Sequence, residues 1–302
     1  MPTKNSQSSS NLNYFLPILA IPQRTIICGV PPPFLRKQIF LPQDHGSWVF
    51  IFSPLFVGLF AGERFAAVSL SLVLVAIAAF LIRQPITIAV KACSGRRAKS
   101  DLPAAGFWIA LYGLMVLIAS IGLIRAGFAY LFLLAIPGVP VFAWHLWLVS
   151  RRQERRQVNV EIIATGVLSL AAPAAYWVGL GRYDTAGWWL WLLVWFQTAA
   201  SIVYAYLRLE QRDWPEGVGK NELWRRGTRL FTYTSFNLMA VFILGVLSVL
   251  PRFLFLAYFI QWIETLWGIL HPATKWKPTH IGIRQLIVSI LWTIVFIITW
   301  RS

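Results

Sequence analysis

Two parts of this chain set chemically capable side chains at a spacing that brings them together. The first is Pro42-Gln43-Asp44-His45-Gly46-Ser47-Trp48, which leads into an uncharged apolar run. A carboxylate beside an imidazole at a helix entrance can bind a cation, relay a proton or hold a polar headgroup. Asp44 acting as an N-cap, with Trp48 at the membrane interface, accounts for the same residues without a ligand. The second part is a set of polar residues inside apolar runs. Gln197, Ser201, Tyr204 and Arg208 fall on one helical stripe, and so do Glu161, Thr165 and Ser169. Thr234 and Asn237 lie on a further run, and Gln261, Glu264, Gly268 and His271 on the next. Together these would line one polar cleft. Interhelical hydrogen bonding explains the Ser, Thr and Asn members without a ligand. It does not explain Glu264, because a carboxylate within a bilayer must be protonated or paired.

Basic residues gather at the ends of the apolar runs. Arg83-Gln84-Pro85 closes the second run, followed by Lys91, Arg96, Arg97 and Lys99. Guanidinium and ammonium groups suit a phosphate or carboxylate headgroup, and Arg83 is placed where its stem can snorkel while its head faces a site. For Arg96, Arg97 and Lys99, retention of the loop on the cytoplasmic side is the simpler account. The same applies to Lys275 and Lys277, although the segment Trp276-Lys277-Pro278-Thr279-His280 would close the cleft from below. His145 reads as a structural histidine, and Trp188, Trp189, Trp191 and Trp195 as an interfacial belt. The expected ligand-lining set is Asp44, His45, Arg83, Gln84, Lys91, Tyr204, Arg208, Glu264 and Lys277. No catalytic residue, cofactor motif or metal-ligand spacing stands out.

The elements that must carry these residues follow from composition. Of 302 residues, 58% are hydrophobic and only 13% charged, with a mean hydropathy of +0.64. Such a chain cannot cover a globule with polar surface, which excludes a soluble enzyme. A spanning helix needs about 20 apolar residues. Nine runs qualify, over 46–62, 65–82, 105–124, 127–149, 158–180, 186–207, 230–250, 253–271 and 281–300. The expected fold is therefore an all-α polytopic membrane bundle of nine spans. With the N-terminus inside, the 27 Lys and Arg sort sharply: Arg64, Arg125, Arg182, Arg252 and Arg301 alone fall outside, one per segment. This topology puts the C-terminus outside. It also accounts for the net charge of +16 without nucleic acid, since the cations are spread over five cytoplasmic segments rather than gathered in one module.

Residues 1–40 read as a disordered or surface-lying extension, with a Ser/Asn/Gln-rich start and the triple proline Pro31–Pro33. Its apolar patches are too short and broken for a signal peptide. Residues 41–302 form the transmembrane domain. Cys28 and Cys93 provide no disulfide framework. The long inner connections, Gln84–Ala104 and Leu207–Arg229, contrast with tight outer turns such as Ala61–Arg64, so function is expected on the cytoplasmic face.

The Asp44-His45-Gly46-Ser47-Trp48 entrance, followed by an apolar helix with Pro54 and Gly58, resembles the opening of the YwiC-like integral membrane proteins. Arg83-Gln84-Pro85 and Lys277-Pro278…Ile281-Gly282 are similar to later landmarks of that family, so the resemblance runs over about residues 40–300. Asp44 and Ser47 depart from the family's usual Glu or Gln before His and Ala before Trp. The resemblance implies a membrane location but no particular activity. Nine helices with elaborated inner loops are also similar in layout to the UbiA-type intramembrane prenyltransferases. Their paired Asp-rich magnesium motifs are missing, however: one loop has Asp101 alone, and the other has Glu210, Asp213, Glu216 and Glu222 at the wrong spacing. Three readings stand. The first is a protein of the plasma, inner or another energy-transducing membrane that handles an anionic or isoprenoid lipid at its cytoplasmic face. The others are a secondary transporter working through Glu264 and a non-catalytic assembly factor. Oligomeric state is not legible, because several helices offer small-residue faces without preference.

Overall fold

The computed structural model describes residues 36–42, 45–153, 157–215 and 217–301, and among these every regular element is helical. In chain order the helices are α1 (Lys37–Phe40), α2 (Val49–Ala61), α3 (Ala67–Cys93), α4 (Leu102–Arg125), α5 (Gly138–Ser150), α6 (Val158–Leu168), α7 (Ala171–Leu180), α8 (Ala186–Gln211), α9 (Lys220–Val246), α10 (Phe255–Leu270) and α11 (Pro278–Arg301). Short 3-10 turns precede α2 (His45–Trp48), α4 (Lys99–Asp101) and α5 (Ala129–Ala135).

Seven helical stretches are long and apolar enough to cross a membrane: 67–93, 99–125, 129–150, 158–180, 186–211, 220–246 and 278–301. Two shorter apolar helices, α2 and α10, occupy the other two expected positions. Their outer surfaces show which solvent the fold is built for. On α11, Ile283, Ile287, Ile290, Leu291, Ile294 and Ile298 are exposed, while Gln285, Ser289 and Thr293 face inward. On this helix the exposed face is more apolar than the buried one, the reverse of a helix in a soluble protein, and that fits a lipid environment. The chain is an integral membrane protein.

Several expected boundaries move, each for a local reason. Arg83-Gln84-Pro85 does not end a helix. α3 continues through Pro85 to Cys93, and the Thr87 hydroxyl donates to the Arg83 carbonyl at 2.8 Å, occupying one of the carbonyls around the proline. Lys91 therefore stands on a helix, and the long connection expected from Gln84 shrinks to the turn before α4. The 207–229 connection shrinks likewise, because α8 runs to Gln211 and α9 starts at Lys220. Glu222 braces this start by accepting from Arg225 at 2.7 Å and Arg226 at 2.6 Å. Conversely, the run at 158–180 breaks into α6 and α7 at Ser169–Leu170, because Pro173 has no N–H to offer the Ser169 carbonyl. Pro137 and Pro140 similarly confine the 129–150 run to a 3-10 turn followed by α5.

The two short helices each run alongside a long one in the same direction. The Ser53 and Thr293 hydroxyls are 2.6 Å apart, and Arg301 donates to the Gly62 carbonyl at 3.2 Å, so α2 parallels α11. Tyr258 donates to the Leu193 carbonyl at 2.8 Å and Gln197 to Gln261 at 3.0 Å, so α10 parallels α8. The 3-10 turn His45–Trp48 packs against α11, which sets the chain's entrance beside the helix that carries Arg284. α2 also nests on α7, where a Cβ on Gly58 would lie 2.1 Å from the Ala172 carbonyl oxygen. Only glycine permits that backbone approach.

Candidate functional site

The stripe on α8 faces inward along its whole length. Gln197, Ser201, Tyr204, Arg208 and Gln211 are all buried, and each meets a partner on α10, on α11 or in the segment between them. Gln197 bonds Gln261, and Gln285 donates to the Ser201 hydroxyl. Below them the charges begin. Arg284 grips Glu264 with two parallel bonds, Nε to Oε1 at 2.6 Å and Nη2 to Oε2 at 2.8 Å, while the Tyr204 hydroxyl donates to Glu264 Oε1. This is how the α10 carboxylate exists in an apolar surround: it is paired, in the bidentate geometry that makes arginine–carboxylate pairs strong.

Arg208 is different. It is 1% exposed and makes no ion pair among the described residues; its Nη1 reaches Gln211 Oε1 at 2.7 Å and the Gly268 and His271 carbonyls at 2.9 and 2.6 Å. Its guanidinium carbon lies 5.2 Å from the Trp267 ring centre and 5.1 Å from that of Trp276, and its Nη2 is buried without a partner among the described residues. Gln211 ties the arrangement together, donating to the Gly268 carbonyl at 2.9 Å while its Oε1 accepts the Ala273 N–H at 3.2 Å. Arg284 stacks on Trp267 with its guanidinium carbon 3.5 Å from the ring centre. Two guanidiniums thus stand against one indole, and the one carboxylate, Glu264, pairs with Arg284, leaving a net positive charge at this junction. Carbonyl dipoles and ring faces offset part of its desolvation cost.

A cavity of about 450 Å³ opens beside this junction. Glu264, Arg284, His280 and Trp276 form its polar end, and Ile283, Ile287 and Val288 of α11 its apolar wall. Ile283 and Ile287 are half-exposed, so the wall continues into the lipid-facing surface.

Of the nine residues expected to line a ligand, Tyr204, Arg208 and Glu264 come together at the buried junction, and of these three Glu264 alone lines the cavity. Lys277 lies in the adjoining turn and is exposed; its neighbours Trp276 and His280 are the ones that line the cavity. Gln84 serves a different purpose, donating to the Gln38 carbonyl at 3.0 Å to hold α1 against α3. Arg83, with its guanidinium 4.8 Å from the Phe80 ring centre, and Lys91 stand on the same helix. Asp44 falls outside the described residues, as does the side chain of His45.

Other expectations are resolved more plainly. Thr165 and Ser169 bond backbone carbonyls of their own helix, and Glu161 accepts from Tyr206 at 2.7 Å, so that stripe is stitching rather than cleft. Trp191 and Trp195, expected as part of an interfacial belt, donate their indole N–H groups to the Gly166 and Ile162 carbonyls, each at 2.9 Å, and so fasten α8 to α6. Among the described residues, no cluster of His, Cys, Asp and Glu could hold a metal.

Sequence reasoning missed Arg284, Gln285 and Gln211 as site members. Arg284 was readable in principle, since it lies inside an apolar run that has one obvious counter-charge, Glu264, in the run before it. Counting it as a topological cation hid that pairing.

The helical, lipid-facing fold with a buried charged junction defines a polytopic membrane protein. Residues 41–176 match the family model described as YwiC-like protein, which covers α2 to α7 and ends before every charged member of the junction. Arg83-Gln84-Pro85 lies within the match and Lys277-Pro278 beyond it. No curated protein and no solved structure matches the chain.

Proposed function

We propose that this protein binds the anionic headgroup of an amphipathic lipid, of the phospholipid or isoprenoid class, at the cytoplasmic mouth of its α8–α10–α11 junction. The observation that carries this reading is the two-sided lining of the cavity. Arg284, Glu264 and His280 offer polar contacts at one end, while Ile283, Ile287 and Val288 make an apolar wall continuous with the lipid-facing surface. An amphiphile matches both halves, and a free hydrophilic solute matches only one. The surplus cation, Arg208, favours an anion.

The reading rests on a nine-crossing topology with the N-terminus and the basic connections in the cytoplasm. α10 has 16 residues and α2 has 13, or about 24 and 20 Å, short of the roughly 30 Å hydrocarbon layer. Their registration supports crossing nonetheless. The end of α2 at Gly62 meets Arg301 at the far end of α11, and α10 keeps level with α8 from Leu193 to Arg208. The basic connections also collect at one end of the bundle, where Arg212 donates to the Trp276 carbonyl at 2.7 Å and Arg96 to the Val149 carbonyl.

The test is lipid extraction and mass spectrometry of the purified protein, wild type against Arg284→Gln. Wild type should retain a defined anionic lipid, and the variant should retain about tenfold less, the scale of one lost charge-assisted contact. Equal retention, or retention that merely mirrors bulk lipid, would reject the reading.

A further inference from the structure

At the opposite end of the bundle a second cavity, of about 420 Å³, opens between the 3-10 turn 129–135 and the α7–α8 corner. Its lining is Tyr130, Leu133, Leu134, Trp177, Tyr183 and Trp188, with no charged side chain. We propose that this cavity binds the ring of a neutral, ring-headed amphiphile bearing a carbonyl oxygen, a compound of the lipid-soluble quinone class.

Three features point there. Trp177, only 2% exposed, is immobilised as a wall: its indole N–H donates to the Asp184 carbonyl at 2.6 Å, and it lies so close over Gly187 that a Cβ there would sit 2.4 Å from its Nε1. Tyr183 and Trp188 stand against it with ring centres at 4.8 and 5.6 Å, and they are tied to each other by the Trp188 N–H to the Tyr183 hydroxyl at 3.0 Å. The rings are therefore set before any ligand arrives, at the tilted and edge-on angles in which aromatic groups attract one another.

The second feature is Tyr130, whose ring is 6.1 Å from Trp177 and whose hydroxyl is buried with no hydrogen-bond partner among the described residues. A buried hydroxyl left unsatisfied is costly, and a carbonyl oxygen on a bound ring would accept its proton. The third is exposure. Leu133 is 65% exposed and Ile136 beyond it 60%, so the mouth faces lipid and admits a tail. A quaternary ammonium head fits less well, because the lining supplies no carboxylate to offset its charge.

The experiment uses the full chain purified in maltoside detergent, with a decyl-substituted benzoquinone as probe and equilibrium dialysis plus thermal unfolding as readouts. Wild type should bind saturably and melt higher with the probe. Tyr130→Phe removes only the unpartnered hydroxyl, so without probe it should melt at or above the wild-type temperature while binding about fivefold to tenfold more weakly, the worth of one neutral hydrogen bond. Trp188→Ala should abolish saturable binding. Arg284→Gln, at the other end of the bundle, should bind the probe as wild type does, which separates this site from the anionic-lipid site. Unsaturable uptake, unchanged affinity in Tyr130→Phe, or saturable binding of dodecylphosphocholine in place of the quinone would each overturn the assignment.

Discussion

The α1–α3–α4 corner and the α8–α10–α11 junction use the same residue types to opposite ends. At the first, Asp101 is buried and holds two arginines, Arg97 at 2.6 Å and Arg36 at 3.5 Å. At the second, Glu264 holds only Arg284, and Arg208 is buried beside it with carbonyls and rings for company. The carboxylate in the first corner anchors arginines that themselves reach solvent, with side chains 28% and 41% exposed. Water screens their charge, and the arrangement is a clasp for α1. In the second, the surplus cation itself is removed from water. Burying a guanidinium without a carboxylate costs stability that a clasp would not need, and such a cost is the mark of a site.

The largest test of this contrast is Arg208→Ala. It takes one donor from each of three acceptors, leaving the His271 carbonyl without its guanidinium partner while Gln211 and Gly268 keep their other bonds, and opens a void among Tyr204, Trp267 and Trp276. The expected loss is about 3 kcal/mol or more, read as a lower unfolding temperature in detergent. Arg208→Lys should recover only part of it, since one ammonium cannot reproduce the planar fork. Unaltered melting in the alanine variant would mean that the junction tolerates an empty centre.

Glu264→Gln should come next, at about 2 kcal/mol. It keeps the shape but turns Arg284 into a second unpaired cation next to Arg208; the usual cost of breaking a buried pair is discounted because Arg284 is one-third exposed. The corresponding Asp101→Asn change, which frees two partly exposed arginines with no buried cation beside them, should cost less than half as much. Equal losses would erase the distinction between clasp and site.

Gly268→Ala sharpens the comparison without touching a charge. An added Cβ would lie 2.7 Å from Tyr204 Cε2, so the ring must move, and its hydroxyl with it, away from Glu264. About 1–2 kcal/mol of overpacking is expected. Lipid retention should fall as well, because Tyr204 helps hold the carboxylate that orients Arg284.

How far the sequence reached depends on which physical signal each residue carries. Burial of the α8 stripe was legible because four polar residues at helical spacing in an apolar run have one plausible face. The helix ends were not. Charged residues beyond the apolar run read as loop, yet Glu222 and its two arginines brace α9 as helix over those residues. Proline misled in both directions: Pro85 is absorbed within α3, whereas Pro173 splits a run that looked continuous. Partners across helices were least legible of all. Spacing does not tie Gln84 to the Gln38 carbonyl, and for Arg284 the one clue was a lone opposite charge, Glu264, in the neighbouring run, because both contacts depend on how separate helices pack.

Gln84 gives the smallest effect and the cleanest discrimination. Its amide makes one exposed hydrogen bond, to the Gln38 carbonyl, and so helps fix the segment whose Ile39 is fully buried against Ile88, Ala104 and Ala105. Gln84→Ala should therefore cost about 0.5–1 kcal/mol and loosen α1 locally. Faster amide exchange over residues 37–41 is expected, with no change around Tyr204 or Arg284. Lipid retention should be untouched, because the lost bond belongs to the clasp. If Gln84→Ala instead emptied the α8–α10–α11 cavity of lipid, the two corners would be halves of one site, joined through the His45–Trp48 turn that packs against α11.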